Sequence, residues 1–543
     1  MDMSIEIRDA LYGDIVLTRD EARLLDTYEM QRLRQLRQLG NVHLVFPSAN
    51  HMRFEHCLGT RWLCQKIIRI SNLSIDRQDE QLLYKAALIH DASEPCFEHV
   101  TERLRRIGFP THEEILPMVL DGAYKEKVLE HRKTHAKFIC DVLNDREREA
   151  IRDILVGNPH SAFLKELING CIDADNLDYI RRDSFYCNLP YGSYDDRIFA
   201  SFRTVKFEDS HHLALRRSVD TISAALSILN ARYVLWKTAY MHHAVLIADE
   251  MFLQAMKEAL SYNAVDQYDI YILGDYELLN KVIRGYEQLE NLSANKTISD
   301  LGRLLCERLI NRDLFKRAYI IDSRAPERVM QQLGSISEDL MAEKRFVENI
   351  SERASVSSED ILAFFYPSRG WKQEFNDILV VDQAGNIETL DRIVPSELDL
   401  LKKNYLNLWK FMVAVGENDF DSRMSVNQAC HTFFSFRGSY VPHRSLDESK
   451  TIQDLVVPLI EKLRENNRSS YRVLNLLLKQ RRPLNREEIA KELKLKPSSV
   501  SHYLSVLSES LSEFNREVLV CQRDGRIKSW TVNDEFREGL MQV

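Results

Sequence analysis

Three short segments of the sequence carry histidine and aspartate side chains of the kind that bind divalent metal ions. They are NHMRFEHCLGT (50–60), AALIHDASEPCFEH (86–99) and CIDADNLDYIRRDSFY (171–186). We single out His56, the adjacent pair His90 and Asp91, and Asp175 as candidate metal ligands. Two neutral imidazoles and two carboxylates suit a divalent ion such as Mn, Mg, Fe or Zn. Such an ion lowers the pKa of bound water and so supplies a nucleophile suited to phosphorus.

The spacing of these residues sets a condition on the elements that carry them. Adjacent residues of one helix point about 100° apart. His90 and Asp91 therefore reach a single ion only where helices meet, with His56 and Asp175 approaching from neighbouring helices. Each histidine taken alone is more often a hydrogen-bonded residue than a ligand, so the prediction depends on the joint pattern.

The composition predicts that helices supply this framework. The chain has 543 residues but only 18 Gly and 13 Pro, against about 38 and 27 at average usage. Apolar spacing predicts a helix from Asp20 to about Leu39, ended by Gly40. Helical patterns continue to about residue 260 and, less clearly, over 265–365, whereas DILVVDQAGNIETL (377–390) predicts a hairpin.

The last 70 or so residues predict a winged helix-turn-helix. Two helical patterns occupy 484–507, and Asn485 with Glu488 forms a capping box at the start. VLVCQRDGRIKSWTV (518–532) then predicts a hairpin around Asp524-Gly525. Residues 471–543 contain 13 Lys and Arg against 10 Asp and Glu. This weak positive charge is compatible with DNA or RNA binding but too small to decide for it. Winged helices also serve as protein contacts or in self-association, and that alternative is the stronger one here.

Length and charge exclude several classes of protein. The chain is 44% hydrophobic and 29% charged, which is typical of globular proteins with about three or four domains at this length. A net charge of -9 disfavours a general nucleic-acid-coating protein. Nine scattered cysteines without C-x-x-C argue against a zinc ribbon or a disulfide scaffold. We see no signal peptide and no run of 18 apolar residues, and therefore expect a cytoplasmic protein without membrane contact.

Four motifs, in this order, resemble those of the HD-domain phosphohydrolase superfamily, in its dNTP triphosphohydrolase branch. They are RFEHCLG (53–59), HDASEPCFEH (90–99), DADNLDYIRRDSFY (173–186) and ARYVLWKTAYMHHAVLIADEM (231–251). The resemblance implies a mainly α fold without the SAM domain of vertebrate members. It implies an HD core over 1–265, a helical or mixed lobe over 266–450 and the winged module over 470–543.

The resemblance also assigns roles to individual residues. His56, His90, Asp91 and Asp175 match the family's metal ligands. The positions that match or lie near catalytic residues are His99, Glu102, His112 and Glu94, the last replacing a histidine of the vertebrate enzyme. The substrate positions are Arg53 and Arg232 for the triphosphate, Gln38 and Asp183 for the sugar 3′-hydroxyl, Tyr179 for the deoxyribose, and Tyr240 for the base or sugar edge. The tyrosines could instead be core aromatics, and the arginines could pair with carboxylates.

A further motif implies regulation. DTYEMQRLRQLRQLG (26–40) resembles the family segment that binds an activating guanine nucleotide at a subunit interface, here through Asp26, Gln31 and Arg34. We therefore expect a nucleotide-activated homo-oligomer, a dimer or a tetramer. The alternative is a solvated basic helix face.

The resemblance implies hydrolysis of dNTP to a deoxynucleoside and triphosphate, which would tune dNTP pools or act in anti-phage defence. Two alternatives remain open at this point. One is another HD nucleotide phosphohydrolase or a nuclease. The other is a non-catalytic, nucleotide-sensing regulator whose winged helix binds DNA.

Overall fold

The structure is a computed structural model and is mostly helical, with four small sheets. It describes residues 5–101, 103–104, 109–292, 299–337, 340–366, 378–417, 419–442, 468–480, 483–511, 519–524 and 527–532. Contacts between residues divide the chain into two compact units. The first comprises 1–418 and 425–440, and the second comprises 419–424 and 441–543. The predicted boundaries at 265 and 450 stay predictions.

The described residues up to Ser261 include an N-terminal hairpin and thirteen α-helices. The hairpin strands are β1 (Ile5–Asp9) and β2 (Gly13–Leu17). The helices are α1 (Arg19–Leu25), α2 (Tyr28–Arg32), α3 (Arg53–Ser71), α4 (Arg77–Ile89), α5 (Glu98–Thr101), α6 (His112–Asp121), α7 (Ala123–His131), α8 (Ile139–Val142), α9 (Asp145–Leu155), α10 (Ala162–Glu166), α11 (Ala174–Tyr186), α12 (Val219–Leu235) and α13 (His243–Ser261). A π-helix, Trp236–Tyr240, joins α12 to α13.

The prediction of one continuous helix from Asp20 to Leu39 is wrong. Thr18 caps α1 through a capping box with Glu21, and α1 already ends at Leu25. Thr27 is extended and forms a parallel bridge with Lys137. After α2, a short 3₁₀ turn gives way to extended backbone at Leu36. The leucines of this segment are regularly spaced because they are buried, although the chain changes direction between them.

The described residues from 202 to 434 add two sheets and, after α13, eight further α-helices. The helices are α14 (Asp269–Ile272), α15 (Asp275–Leu292), α16 (Leu301–Ile310), α17 (Glu327–Ser337), α18 (Leu340–Ala354), α19 (Leu390–Ile393), α20 (Pro395–Leu406) and α21 (Phe420–Phe434). The strands are β3 (Phe202–Phe207), β4 (Ser210–Arg216), β5 (Lys316–Asp322), β6 (Ile361–Tyr366), β7 (Leu379–Val381), β8 (Ile387–Thr389) and β9 (Lys410–Val415). Antiparallel β7 and β8 confirm the predicted hairpin.

One sheet was not predicted. β9 lies between β5 and β6 and is antiparallel to both. Its strands are almost wholly buried. A strand that is buried on both faces has no polar alternation, so periodicity cannot distinguish it from a helix. The expectation of mostly helical structure over 265–365 missed β5 and β6 for this reason.

The second unit contains the predicted winged helix-turn-helix. Its elements are α22 (Arg468–Lys479), β10 (Leu484–Asn485), α23 (Arg486–Leu493), α24 (Pro497–Leu511), β11 (Leu519–Asp524) and β12 (Ile527–Val532). Asn485 and Glu488 form the capping box, and Lys494 takes the left-handed conformation that turns the chain into α24. Leu477, Ile489 and Val500 are fully buried in its core. Among the described residues of the whole chain, no helix has the length and apolarity to cross a membrane.

Candidate active site

Three elements present the candidate metal ligands. His56 lies in the first turn of α3, and Asp175 lies in the first turn of α11. His90 is the C-cap residue of α4, and Asp91 follows in a turn. The adjacent pair therefore lies at the end of α4, where His90 meets His56 of α3 and Asp175 of α11.

The four side chains converge on one point. His56 Nε2 is 2.9 Å from Asp175 Oδ1 and 3.3 Å from His90 Nε2. His90 Nε2 is 3.3 Å from Asp91 Oδ1. One ligand atom from each of His56, His90 and Asp175 lies within 4.8 Å of the others. Such closely spaced nitrogen and carboxylate atoms form a group that could hold a metal ion.

The second nitrogen of each imidazole already has a partner, which fits this role. His90 Nδ1 lies 2.8 Å from the Ala87 carbonyl oxygen, and His56 Nδ1 lies 2.7 Å from Asp178 Oδ2. These bonds turn both Nε2 atoms toward the shared point. Metal-bound histidines are normally oriented in this way by a carbonyl or a carboxylate. The donor set fits a borderline or hard divalent ion.

Behind His56 lies a buried ionic network that the sequence did not reveal. Asp178 accepts hydrogen bonds from Arg182 Nε (2.8 Å) and Nη2 (3.0 Å). Arg182 Nη1 also donates to Asp9 Oδ2 at 2.8 Å. The sequence feature that could have indicated this ion pair is the spacing of Asp178 and Arg182, which are four residues apart and so share one helix face. Gly59 is packed so closely against this pair that an added Cβ would overlap both side chains.

The carboxylates strongly affect protonation in this cluster. Burial alone would lower the pKa of His56, but hydrogen bonds and charges from Asp175 and Asp178 raise it to about 10. The pKa values of Asp175 and Asp178 are lowered: burial opposes the shift, and nearby positive charges outweigh it. A cation is therefore favoured here, and a metal ion would bind in competition with a proton on His56.

The cluster opens into a cavity of about 550 Å³. Besides the four candidate ligands, eight other residues singled out in the sequence line it. These are Gln38, Arg53, Glu94, His112, Tyr179, Asp183, Arg232 and Tyr240. The His99 side chain and Glu102 lie outside the part of the chain that the structure describes.

Asp183 joins two rings at one wall of this cavity. Its Oδ1 lies 2.8 Å from His51 Nε2, and its Oδ2 accepts a hydrogen bond from the Tyr240 hydroxyl. His51 stacks on Tyr186 with ring centroids 4.5 Å apart. Gln38 Oε1 is buried and accepts no hydrogen bond within the described part of the chain. Sequence analysis missed His51, although it lies in the first of the three segments.

The remaining cavity residues are held by specific contacts. Arg53 Nη1 donates to Asp91 Oδ2 at 2.5 Å, so this arginine does pair with a carboxylate while also lining the cavity. The Tyr179 hydroxyl donates to Asn176 Oδ1 at 2.9 Å. Buried Arg232 lies in the electrostatic environment of Tyr179 and Asp175.

The three candidate activator residues lie close together near the start of the chain. Gln31 Nε2 donates to the Leu25 carbonyl at 2.7 Å, and Arg34 Nε donates to Gln31 Oε1 at 3.1 Å. The Arg34 guanidinium lies 3.6 Å from the ring centroid of Phe54, the neighbour of Arg53 on α3. Asp26 is exposed at the end of α1.

Arg32, between these residues, connects α2 to the active-site turn. It is buried and donates to the carbonyl oxygens of Leu273 (2.9 Å), Glu94 (2.7 Å) and Ile270 (2.9 Å). The backbone of Glu94 is thus fixed by the same helix that presents Gln31 on its exposed side.

Models of three protein families match the chain. An HD domain matches residues 53–183, an HD associated region matches 202–439, and the bacterial regulatory protein arsR family matches 471–510. Relatives include the uncharacterized protein MJ1154 of Methanocaldococcus jannaschii, 29% identical over 75% of this chain and 78% of the relative. The human deoxynucleoside triphosphate triphosphohydrolase SAMHD1 is 28% identical over 47% of this chain and 45% of its own length.

Two solved structures share the fold. A phosphohydrolase from Bacteroides thetaiotaomicron superposes with a TM-score of 0.55 at 20% identity, covering 76% of this chain and all of that chain. A hypothetical protein from Aquifex aeolicus superposes with a TM-score of 0.54 at 23% identity, covering 78% and 100%. The chain spans about half the length of the human triphosphohydrolase that it matches.

Proposed function

We propose that this chain, as a member of the HD-domain family of phosphohydrolases, is a metal-dependent hydrolase. Its proposed reaction cleaves dNTP to a deoxynucleoside and triphosphate. One observation carries the proposal. The His56, His90, Asp91 and Asp175 cluster shares a cavity with Asp183, Tyr240 and the two arginines. A single cavity thus offers polar groups for a sugar, positive charge for phosphates and a metal-binding group beside them. Similarity to relatives that are named triphosphohydrolases supports the same choice of substrate.

In the proposed reaction, a water oxygen forms a bond to the α-phosphorus and the bond from that phosphorus to the 5′-oxygen breaks. The 5′-oxygen gains a proton and leaves as the hydroxyl of the deoxynucleoside, while the water oxygen stays on the triphosphate. What a divalent ion supplies when bound is a lowered pKa for a nearby water molecule and polarisation of phosphoryl oxygens. Arg53 and Arg232 neutralise charge on the phosphates, for which guanidinium groups have suitable geometry.

The sugar is placed by the other wall. Asp183, held between His51 and Tyr240, accepts a hydrogen bond from the 3′-hydroxyl, and Gln38 Oε1 provides a second acceptor. Tyr179 packs on the deoxyribose, where a 2′-hydroxyl would be crowded. His112 and His99, with Glu94 and Glu102, are the candidate groups for the proton that the leaving oxygen needs.

Product analysis tests the proposal. Purified protein is incubated with each dNTP and the matching NTP in the presence of Mn²⁺ or Mg²⁺, with and without other nucleotides, and products are separated by anion exchange. We expect deoxynucleoside and tripolyphosphate in equal amounts from dNTP, little reaction with NTP, and no reaction with a His90→Ala, Asp91→Ala variant. A monophosphate with pyrophosphate, or cleavage of DNA ends instead, would favour another phosphohydrolase or a nuclease.

We also propose that a nucleotide bound at Asp26, Gln31 and Arg34 activates the enzyme and promotes a homo-oligomer. The contacts of Arg34 with Gln31 and Phe54, and those of Arg32 with the Glu94 carbonyl, support a physical connection to the active site. Light scattering with and without GTP and dNTP tests it. A Gln31→Ala, Arg34→Ala variant should lose any nucleotide-induced gain in mass and rate.

The match to the arsR family supports nucleic-acid contact by the winged helix. Lys494 and Lys496 lie exposed at the turn before α24, and Ser498 and His502 are exposed on α24 itself. Gel-shift titration with duplex DNA at low and physiological salt tests this contact. Lys494→Glu with Lys496→Glu should abolish binding, whereas binding that these changes leave intact would argue against contact through this face.

A further inference from the structure

We infer that Lys165 binds the terminal phosphates of the substrate, an inference that rests on the proposed triphosphohydrolase function. Lys165 lies on α10 and lines the same cavity as the candidate metal ligands. Its Nζ donates to the Gly157 carbonyl oxygen at 3.1 Å. That carbonyl is uncharged, and an ammonium has three donors. The bond therefore positions the amine without neutralising it.

The charge of Lys165 is available to an anion. No carboxylate in the described part of the chain lies within ion-pair distance of its Nζ, whereas Arg53 donates to Asp91 at 2.5 Å in the same cavity. Lysines elsewhere in the first unit are often paired, as Lys85 is with Glu147 and Lys125 with Asp141. A partly buried lysine without such a pair, facing a cavity, is suited to a phosphate group.

The positive charge of Lys165 offsets part of the negative charge that carboxylates bring to the cavity. Asp91, Glu94, Asp175 and Asp183 bring four carboxylates to its lining, and the lysine and arginine side chains among the lining residues are those of Arg53, Arg232 and Lys165. A triphosphate adds several more negative charges. Without Lys165, the negative charge of the triphosphate would be balanced only by the metal and two guanidinium groups, one of which is already bonded to Asp91.

Asn176 of α11 also lines the cavity but supplies no charge to it. Here Asn176 Nδ2 donates to Asp173 Oδ1 at 2.8 Å, and Asn176 Oδ1 accepts from the Tyr179 hydroxyl. Its amide is engaged at both ends within the protein and carries no charge. Lys165 supplies a cation to the same cavity from a different helix.

The wall around Lys165 is distinct from the sugar wall. Leu116 of α6, Leu155 of α9 and Ile168, just after α10, line the cavity with it. Asp183 and Tyr240 belong to α11 and the π-helix. Apolar neighbours reduce screening by water, so an ammonium there acts on a phosphate more strongly than it would on an open surface. The nucleoside and the terminal phosphates can therefore meet different walls.

The test measures binding of inorganic tripolyphosphate by calorimetry to the full-length protein in excess Mn²⁺, together with dNTP kinetics. Lys165→Ala and Lys165→Gln should weaken tripolyphosphate binding and raise KM for dNTP by about tenfold or more, whereas deoxynucleoside binding stays unchanged. Lys165→Arg should restore most of the binding. Lys127→Ala is the matched control, because Lys127 is likewise partly buried but is paired with Glu130 outside the cavity.

Each outcome decides between the two proposals. The inference is overturned, and the proposed function stands, if two results occur together. The wild-type protein hydrolyses dNTP, and the folded variants Lys165→Ala and Lys165→Gln bind tripolyphosphate as tightly as the wild type. Equal weakening of deoxynucleoside binding would make Lys165 a structural residue and also overturn it. A wild-type protein that neither binds tripolyphosphate nor hydrolyses dNTP overturns both.

Discussion

His56 shows how a single residue can depend on a whole network. Its Nε2 faces the proposed metal position, and its Nδ1 is fixed by Asp178, which is fixed in turn by Arg182 and Asp9. Removing the charge of Asp178 should leave all four candidate ligands present but His56 poorly oriented toward the metal position.

We therefore predict that Asp178→Asn lowers metal affinity by about 10- to 100-fold, the usual effect of losing a group that orients a metal-bound histidine. Metal titration followed by calorimetry measures the effect, and thermal unfolding checks that the variant is folded. Asp209→Asn, at an exposed position of the turn between β3 and β4, is the control. An unchanged affinity in folded Asp178→Asn would show that the carboxylate has no orienting role.

Gly59 tests the same network by packing. Since an added Cβ would overlap Asp178 and Arg182, we predict that Gly59→Ala destabilises the protein by about 1–3 kcal/mol and weakens metal binding. Gly334 lies in α17, and a Cβ added there would meet no atom within 4 Å. Gly334→Ala should therefore stabilise the protein by about 0.5–1 kcal/mol. Chemical denaturation of both variants measures the difference. Equal effects would contradict the packing argument.

The four candidate ligands could be predicted from the sequence, because the residue types and the order of the segments limit the choice. Asp178, His51 and Lys165 could not. An aspartate that orients a histidine looks the same in a sequence as one that caps a helix, and Lys165 lies on a five-residue helix without a motif. Their roles depend on which elements meet, and only the fold specifies that.

At the scale of elements, the short helix α2 lies between exposed side chains and the candidate active site. Its outer side presents Gln31, and its inner side buries Arg32 against the Glu94 carbonyl and Glu29 against α8. A continuous helix over this segment, as predicted from the leucine spacing, could not place Thr27 in its bridge with Lys137. Periodicity located the buried face correctly but could not detect the tertiary contact that breaks the helix.

Glu29 gives α2 a pH dependence. Its Oε2 accepts from Ile139 N at 3.1 Å, Oε1 has no partner among the described residues, and burial raises the pKa of this carboxyl to about 8. A folded pKa above the unfolded value of about 4.3 means that stability is lost as pH rises between them, by about 1.4 kcal/mol per unit of difference.

We predict that Glu29→Gln flattens this loss, so that the variant melts above wild type at pH 8.5 and no higher than wild type at pH 5. Thermal unfolding over pH 5–9 measures it. Glu126→Gln, on an exposed position of α7, is the control. Parallel pH profiles for Glu29→Gln and wild type would show that Glu29 is ionised without cost.

At the scale of the whole molecule, the chain divides into two compact units. All four candidate metal ligands and the cavity belong to the first unit, and the winged helix belongs to the second. The composition predicted a helix-rich protein because glycine and proline are scarce, and the capping box and hairpin predicted the winged helix. The sheet β5–β9–β6 escaped prediction because its strands come together from positions up to about 100 residues apart.

Metal removal should therefore act on one unit. An ion that binds only the folded state stabilises it by about 2.7 kcal/mol at 100 times its Kd. We predict that chelation lowers the unfolding midpoint of the first unit and leaves the transition of the second unchanged, in differential scanning calorimetry. The His90→Ala, Asp91→Ala variant should show no shift. A shift of both transitions in that variant would mean that the chelator acts elsewhere.

The central claim is that water attacks the α-phosphorus at the His56, His90, Asp91 and Asp175 centre. Hydrolysis of dNTP by the metal-loaded protein in ¹⁸O-water, with mass spectrometry of both products, tests it most directly. We predict one ¹⁸O atom in the tripolyphosphate and none in the deoxynucleoside. Label in the deoxynucleoside, or products cleaved between the α- and β-phosphates, would contradict it.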